Sequence, residues 1–260
     1  MTPPCISSIK GDLAVSVQGM DVPHVKEDKK AKKMDEKSTE KIRKVEERRI
    51  QRLAEKTRKE EERRAKPDQY TEDVLRGEFQ TYKEYVLKRK RSKEVLGLAI
   101  RMPNMSEDIS ENIVKFIIHY HVGDTTSKWT KGIVGNGPKI TGDLFSETEG
   151  TQEVKCFTSD GPPTFGPKEK WDVIYFLDAR EWLQDRFALW RVALKNNSPE
   201  WKGIKVNEDE TFEEQSNAGR RPRITWGGLH AQLGEHAVKV FDGSFDDIFK
   251  EREVEPDGPQ

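Results

Sequence analysis

The sequence predicts an α/β domain built on a mixed β-sheet flanked by helices, preceded by a highly charged helical or disordered arm. Three observations carry that expectation. Two amphipathic helical stretches lead into residues that alternate like a strand hairpin, at 143–157. A continuous apolar run at 171–177 follows, of the kind buried inside a sheet, and helical and strand patterns then interleave rather than segregate. The third observation is that charge is concentrated ahead of Pro67 instead of being spread through the chain.

The charge distribution sets the domain plan. The chain has 260 residues, 36% of them charged and only 33% hydrophobic. A uniformly mixed chain of that composition would bury too little apolar surface to fold. Residues 26–66, however, hold 18 Lys and Arg against 11 Asp and Glu, a net of +7, so the remainder of a chain of net charge −1 carries −1 − 7 = −8. The expected plan is an arm over residues 1–66, a folded domain over 67–250 and a disordered tail over 251–260. An acidic body excludes a passive nucleic-acid coat but suits an enzyme that gathers carboxylates around a metal. Cys5 and Cys156 are the sole cysteines, which excludes a disulfide framework or a zinc module and points to a reducing, cytoplasmic setting. The N-terminus lacks the pattern of a signal peptide, and no stretch approaches the ~18 apolar residues of a membrane span.

The elements follow in order. Residues 1–25, with Pro3, Pro4 and Pro23, read as flexible. In the arm, Met34, Ile42, Val45, Ile50 and Leu53 do not sustain a heptad, so a strong coiled coil is not expected. Glu and Lys or Arg pairs four apart suit a solvated helix, with attraction to nucleic-acid backbone as the functional alternative. From Thr71 the spacing predicts a helix with Leu75, Phe79, Tyr82 and Val86 on one face, running into the basic stretch Lys88, Arg89, Lys90, Arg91 and Lys93. That stretch reads as a localisation signal, a phosphate contact or simple complement to the helix dipole. A second helix, 106–121, is apolar nearly all round and predicts burial; Glu111 on it needs a partner, with Lys115 one turn on or an active-site contact as the choices.

Residues 131–142 carry four glycines without a phosphate-loop pattern and read as a connection. Asp143 to Ser146 reads as a short strand, 151–157 as its hairpin partner, 187–194 as a further strand, and Leu229, Leu233, His236, Ala237 and Val240 as a late amphipathic helix. His119 and His121 stand two apart, which does not suit a zinc pair on a helix.

The residues that carry chemistry lie on the hairpin. Glu153 and Lys155 are two apart on a strand and share a face, whereas Val154 and Cys156 point to the other. Asp143, from the neighbouring strand, can converge with Glu153 on one hard cation, and Mg²⁺ favours one or two carboxylates with waters and phosphate oxygens. A lysine beside such a metal stabilises negative charge on phosphate or helps position and deprotonate water, which suits phosphodiester hydrolysis. An acidic residue, any residue, then lysine also begins at Glu27, Asp28, Asp35 and Glu200, but there in the arm or a loop. Spacing alone leaves a surface salt bridge on an ordinary hairpin as the alternative.

Gly142-Asp143, a short gap, and Glu153-Val154-Lys155, with the wording Gly142 to Ser146 and Glu153 to Pro162 around them, resemble the PD-(D/E)xK motif of type II restriction endonucleases. The resemblance covers roughly 106–249, and Gly142 stands where the motif has proline. It implies a restriction-endonuclease-like core, Asp143 and Glu153 as Mg²⁺ ligands with the Val154 carbonyl beside them, Lys155 as the catalytic lysine, and Glu111 as the further acidic residue lent by a preceding helix. It also implies double-stranded DNA as partner and a homodimer for double-strand cleavage. DNA contacts are expected from the loop at 158–166, through Ser159, Asp160 and Thr164, from Arg220, Arg221 and Arg223 near Trp226, and from Lys128 with Trp129 and Lys131. The rival expectations are a repair or junction-resolving nuclease, and a non-catalytic nucleic-acid-binding or scaffold protein that uses the arm.

Overall fold

A computed structural model describes residues 25–133 and 140–250, with side chains from Thr39 onward in those ranges. The expectations for residues 1–24, for the tail and for the middle of the 131–142 connection lie outside the described residues. The chain divides into two units, Met1–Glu55 and Lys56–Gln260. Helix α1 (Val25–Arg64) accounts for the described part of the first. There, Arg43 pairs with Glu40 at 3.0 Å and Lys44 with the same carboxylate at 3.3 Å, while Ile42, Val45, Ile50 and Leu53 stay exposed. This is a solvated helix, stabilised by pairs three and four residues apart.

The second unit holds the sheet. Helix α2 (Glu72–Leu96) starts where Thr71 caps the Val74 N–H and ends at Gly97, whose left-handed backbone returns an N–H to the Lys93 carbonyl. Leu75, Phe79 and Val86 are buried, as their spacing predicts. Helix α3 (Glu107–Ile117) is buried along most of its length and widens into a π-helical turn, Ile118–Val122. Of the two choices for Glu111, the pair with Lys115 does not form. Lys115 instead reaches Asp68 at 2.8 Å and the Tyr70 carbonyl at 2.6 Å, because its side chain lies toward the segment leading into α2.

Six strands form one sheet in chain order: β1 (Lys128–Trp129), β2 (Leu144–Ser146), β3 (Gly150–Phe157), β4 (Val173–Asp178), β5 (Phe187–Val192) and β6 (Ala237–Gly243). All neighbours are antiparallel except β3 and β4, which run parallel with Glu153 opposite Ile174 and Lys155 opposite Phe176. Parallel neighbours need a crossover, and residues 158–172 supply it.

The pleat divides the core in two. Val154, Tyr175, Leu177 and Leu189 pack with α2 and α3, while Phe157, Ile174, Phe176 and Val192 pack with Trp201 of α4 (Pro199–Lys202), Phe212 of α5 (Phe212–Asn217) and Leu229 of α6 (Trp226–Leu233). The buried β4 pattern agrees with its continuous apolar run.

One element changes type. The late helix stops at Leu233, since Gly234 adopts φ +52°, and the alternating Val238, Lys239, Val240 and Phe241 extend as β6. His236 is therefore exposed at a short helical turn rather than packed in a core. No helix among the described residues is long and apolar enough to cross a membrane.

Candidate active site

Strand alternation puts Glu153 and Lys155 on the face that carries Phe157, Ile174 and Phe176. Their environment is nearly dry: Glu153 is 7% exposed, and Lys155 Nζ lies 5.6 Å from the Phe165 ring centroid. Lys155 donates to Glu153 at 2.6 Å and to Glu169 at 3.0 Å. Burial works against its charge, but the two carboxylates outweigh burial and raise its pKa. It is thus held as an ammonium, the form that stabilises anionic charge rather than one that accepts a proton.

Asp143 stands one residue ahead of β2, not within it, and is tied to both neighbours. Its N–H bonds to the Gln152 carbonyl at 3.1 Å, its carbonyl accepts the Thr130 N–H at 3.0 Å, and its Oδ2 accepts the Val154 N–H at 3.0 Å. The carboxylate is thereby fixed against the backbone of β3 between Glu153 and Lys155. Gly142 makes this possible. Its φ is +88°, and a Cβ there would meet Thr151 Cγ2 at 2.6 Å and the Gln152 carbonyl oxygen at 2.9 Å. Proline, whose ring holds φ near −65°, is excluded at that backbone. The departure from the motif's proline is therefore a property of how this chain enters β2. Gly142→Ala is expected to cost roughly 2–3 kcal/mol, and to lower cleavage along with stability by displacing Asp143; urea unfolding of both proteins measures the stability difference.

Glu111 reaches the same region from α3. Its carboxylate accepts the Trp129 indole N–H and pairs with Lys131 Nζ at 2.8 Å. Burial, then the Asp143 charge, pushes its pKa up to about 7 against the opposing Lys131 and Trp129. Burial and the same Asp143 charge also push Glu153 up to about 7, with Lys155 opposing. Asp143 is thus the shared negative neighbour of both glutamates. Two glutamates whose pKa values are raised beside a third carboxylate are a donor set whose excess charge a divalent cation would relieve. Among the described residues no group of three His, Cys, Asp or Glu side chains is already closed on one cation position. Mg²⁺ does not require one, since one or two carboxylates suffice when waters and phosphate oxygens complete the shell. The residues present therefore fit this ion.

Glu169 escaped the sequence reading. It sits in the β3–β4 crossover within a charged Pro167-Lys168-Glu169-Lys170 stretch that looks like any surface loop, and nothing in its spacing links it to Lys155.

The expected DNA contacts separate into two sets. Phe165 N–H bonds to the Pro222 carbonyl at 3.1 Å and Thr164 bridges to Arg223, so the 158–166 loop and the arginine cluster form one surface. Ser159, Asp160, Thr164, Arg221 and Arg223 are exposed on it. Asp160 is paired with Arg180 at 2.7 Å, and Arg220 with Glu210. Lys128 donates to the Arg64 carbonyl at 3.1 Å, and Lys131 and Trp129 are both engaged by Glu111. His119 and His121 each bond backbone carbonyls, those of Ser127 and Asp247, and do not form a metal pair.

A mixed six-stranded sheet with helices on both faces defines a restriction-endonuclease-like α/β core. The family model of the Bsp6I restriction endonuclease matches residues 72–227, more than half of the chain, and the protein belongs to that family. Membership makes it a nuclease of the restriction-endonuclease class. No curated protein and no solved structure matches the chain.

Proposed function

We propose that the chain is a type II restriction endonuclease that hydrolyses phosphodiester bonds of double-stranded DNA at a specific short sequence, with Mg²⁺. The observation that carries this reading is Asp143. Its carboxylate is anchored to the Val154 N–H, and its charge acts on both Glu153 and Glu111 beside a lysine kept cationic. Asp143 and Glu153 would hold the ion, with the Val154 carbonyl adjacent. When bound, Mg²⁺ supplies a Lewis acid for phosphate oxygen and lowers the pKa of coordinated water.

Lys155 presents its ammonium to the charge that builds on the phosphate in the transition state, in a site dry enough for that interaction to count. Glu169 positions Lys155 as a second carboxylate partner beside Glu153. Glu111, held by Trp129 and Lys131, adjusts the charge that faces the ion. Residues 67–250 form the nuclease domain in this reading, with residues 1–66 as an arm outside it and 251–260 as a tail. The surface of Ser159, Asp160, Thr164, Arg221 and Arg223 reads the DNA, with Arg220 beside it and Lys128 as a separate contact. Cutting both strands calls for two such sites, supplied by a homodimer acting in the reducing cell interior.

The test is digestion of long, sequence-diverse duplex DNA by the purified protein, with Mg²⁺ and with EDTA. Discrete fragments that require the metal are expected. A preference for branched over plain duplex DNA would favour a repair or junction-resolving nuclease. DNA binding without any cleavage, insensitive to loss of both carboxylates, would replace the enzyme with a binding protein.

A further inference from the structure

The core-facing seam of α2 changes character partway along. Leu75, Phe79, Tyr82 and Val86 recur at intervals of four, three and four, and Leu75, Phe79 and Val86 are fully buried. The same alternation of three and four continues to Arg89 and Lys93. Beyond Val86 no residue of α2 is buried, so the helix projects past the core with cations on the side that faced it. The dipole accounts for Lys93 in the last turn, but its influence fades within that turn and does not reach Arg89.

Many cations of the chain are held in ion pairs. Arg58 pairs with Glu62 at 3.1 Å and Arg64 with Glu60 at 2.7 Å. Arg89, Lys93 and Arg101 have no ion-pair partner among the described residues. Arg89 and Arg101 line one depression of about 300 Å³, with Tyr85, Met102, Pro103 and Asn104. Asn104 ties that depression to the candidate active site: its carbonyl accepts the Tyr82 hydroxyl at 2.5 Å, and its side-chain oxygen accepts the Thr158 hydroxyl at 3.1 Å. Thr158 directly follows Phe157, the last residue of the strand that carries Glu153 and Lys155. An unneutralised cationic seam therefore lies beside the exit of that strand.

We infer that Arg89, Lys93 and Arg101 form a sequence-independent clamp for the phosphate backbone of duplex DNA, flanking the cutting site. The inference rests on the endonuclease reading above and adds to it a surface that grips backbone rather than reading bases. The occupant follows from charge: two unpaired cations lining a shallow groove and a third, Lys93, one turn on along the same helix side, in a body whose net charge is otherwise negative, match a polyanion and not an acidic protein's scattered carboxylates.

The experiment is titration of a fluorescent mixed-sequence duplex with the full chain in EDTA, across a range of salt concentrations, together with cleavage assays in Mg²⁺. Each lost phosphate contact flattens the slope of log affinity against log salt by about 0.9. The variant Arg89→Ser/Lys93→Ser/Arg101→Ser should lose roughly 2–3 from that slope, bind roughly tenfold more weakly to every sequence, and cut at the same positions with a raised KM. Arg89→Lys/Arg101→Lys should keep the slope, which separates lost charge from lost packing. Lys88→Ser/Arg91→Ser, on the opposite side of the helix, should leave it unchanged. An unaltered slope in the triple variant of a wild-type enzyme that cuts DNA overturns the clamp alone. An equal drop in the Lys88/Arg91 variant also overturns it, leaving diffuse charge in its place. A wild-type chain that neither binds nor cuts duplex DNA overturns the endonuclease reading and the clamp together.

Discussion

Asp143→Asn is expected to abolish cleavage while making the metal-free protein more stable above neutral pH. The two effects share one cause. Glu111 and Glu153 are each raised to about 7, by burial first and by the Asp143 charge second. In the unfolded chain both titrate near 4.5. Between those values the native state retains protons that the unfolded state has released, so the stability of the metal-free wild type falls as pH rises from about 4.5 through about 7. Asparagine keeps an oxygen for the Val154 N–H but removes the charge. Part of the fall is then recovered, on the order of 1–2 kcal/mol at pH 8, or roughly 3–6 °C in melting temperature. Thermal melts in EDTA at pH 5 and pH 8 measure it: the variant should gain at pH 8 and little at pH 5. Mg²⁺ should raise the melting temperature of the wild type and not that of the variant. A variant less stable than wild type at pH 8 would mean that the three carboxylates do not repel one another, and the donor set would lose its rationale.

Lys155→Ala should lower the maximal cleavage rate by roughly 10²–10³-fold, the usual scale for removing one preorganised charge from a transition state. It should also destabilise the protein, because Glu153 and Glu169 lose the cation that both contact, at 2.6 and 3.0 Å. Removing one partner of a buried ion pair costs roughly 3 kcal/mol. Lys155→Arg retains the charge and should restore most of the stability but little of the rate, since the wider guanidinium cannot occupy the same point. Glu169→Gln makes a milder counterpart, with Lys155 left paired to Glu153 alone. Rapid-quench cleavage with saturating enzyme, beside urea unfolding, separates the two losses. A Lys155→Ala protein that cuts at the wild-type rate would reduce the pair to a structural salt bridge.

Local rules made much of this architecture legible. Period-two alternation alone places Glu153 and Lys155 on one face of β3 and Val154 on the other, because successive side chains of a strand must point to opposite sides. The spacing of Leu75, Phe79 and Val86 places α2 against the core, and the all-round apolar pattern of α3 requires its burial. The charged pairs of α1 are likewise a matter of neighbours one turn apart.

What local rules could not reach are partners brought together from distant segments. Glu111 lies one turn from Lys115, yet it pairs with Lys131, and Lys115 pairs with Asp68, because the burial of α3 on the sheet aims the two side chains at different neighbours. Glu169 meets Lys155 only because parallel β3 and β4 require a crossover that passes over that face. The helical pattern through Val240 fails at Gly234, where the backbone ends the helix and β-sheet pairing with β5 takes over. The sequence by itself determined most of the elements, their buried faces and the register of the acidic and basic residues along them. Which carboxylate meets which cation, and why glycine rather than proline precedes Asp143, was decided by the tertiary structure. Electrostatic pairing and backbone clearance depend on distances in space, which separation along the chain does not encode.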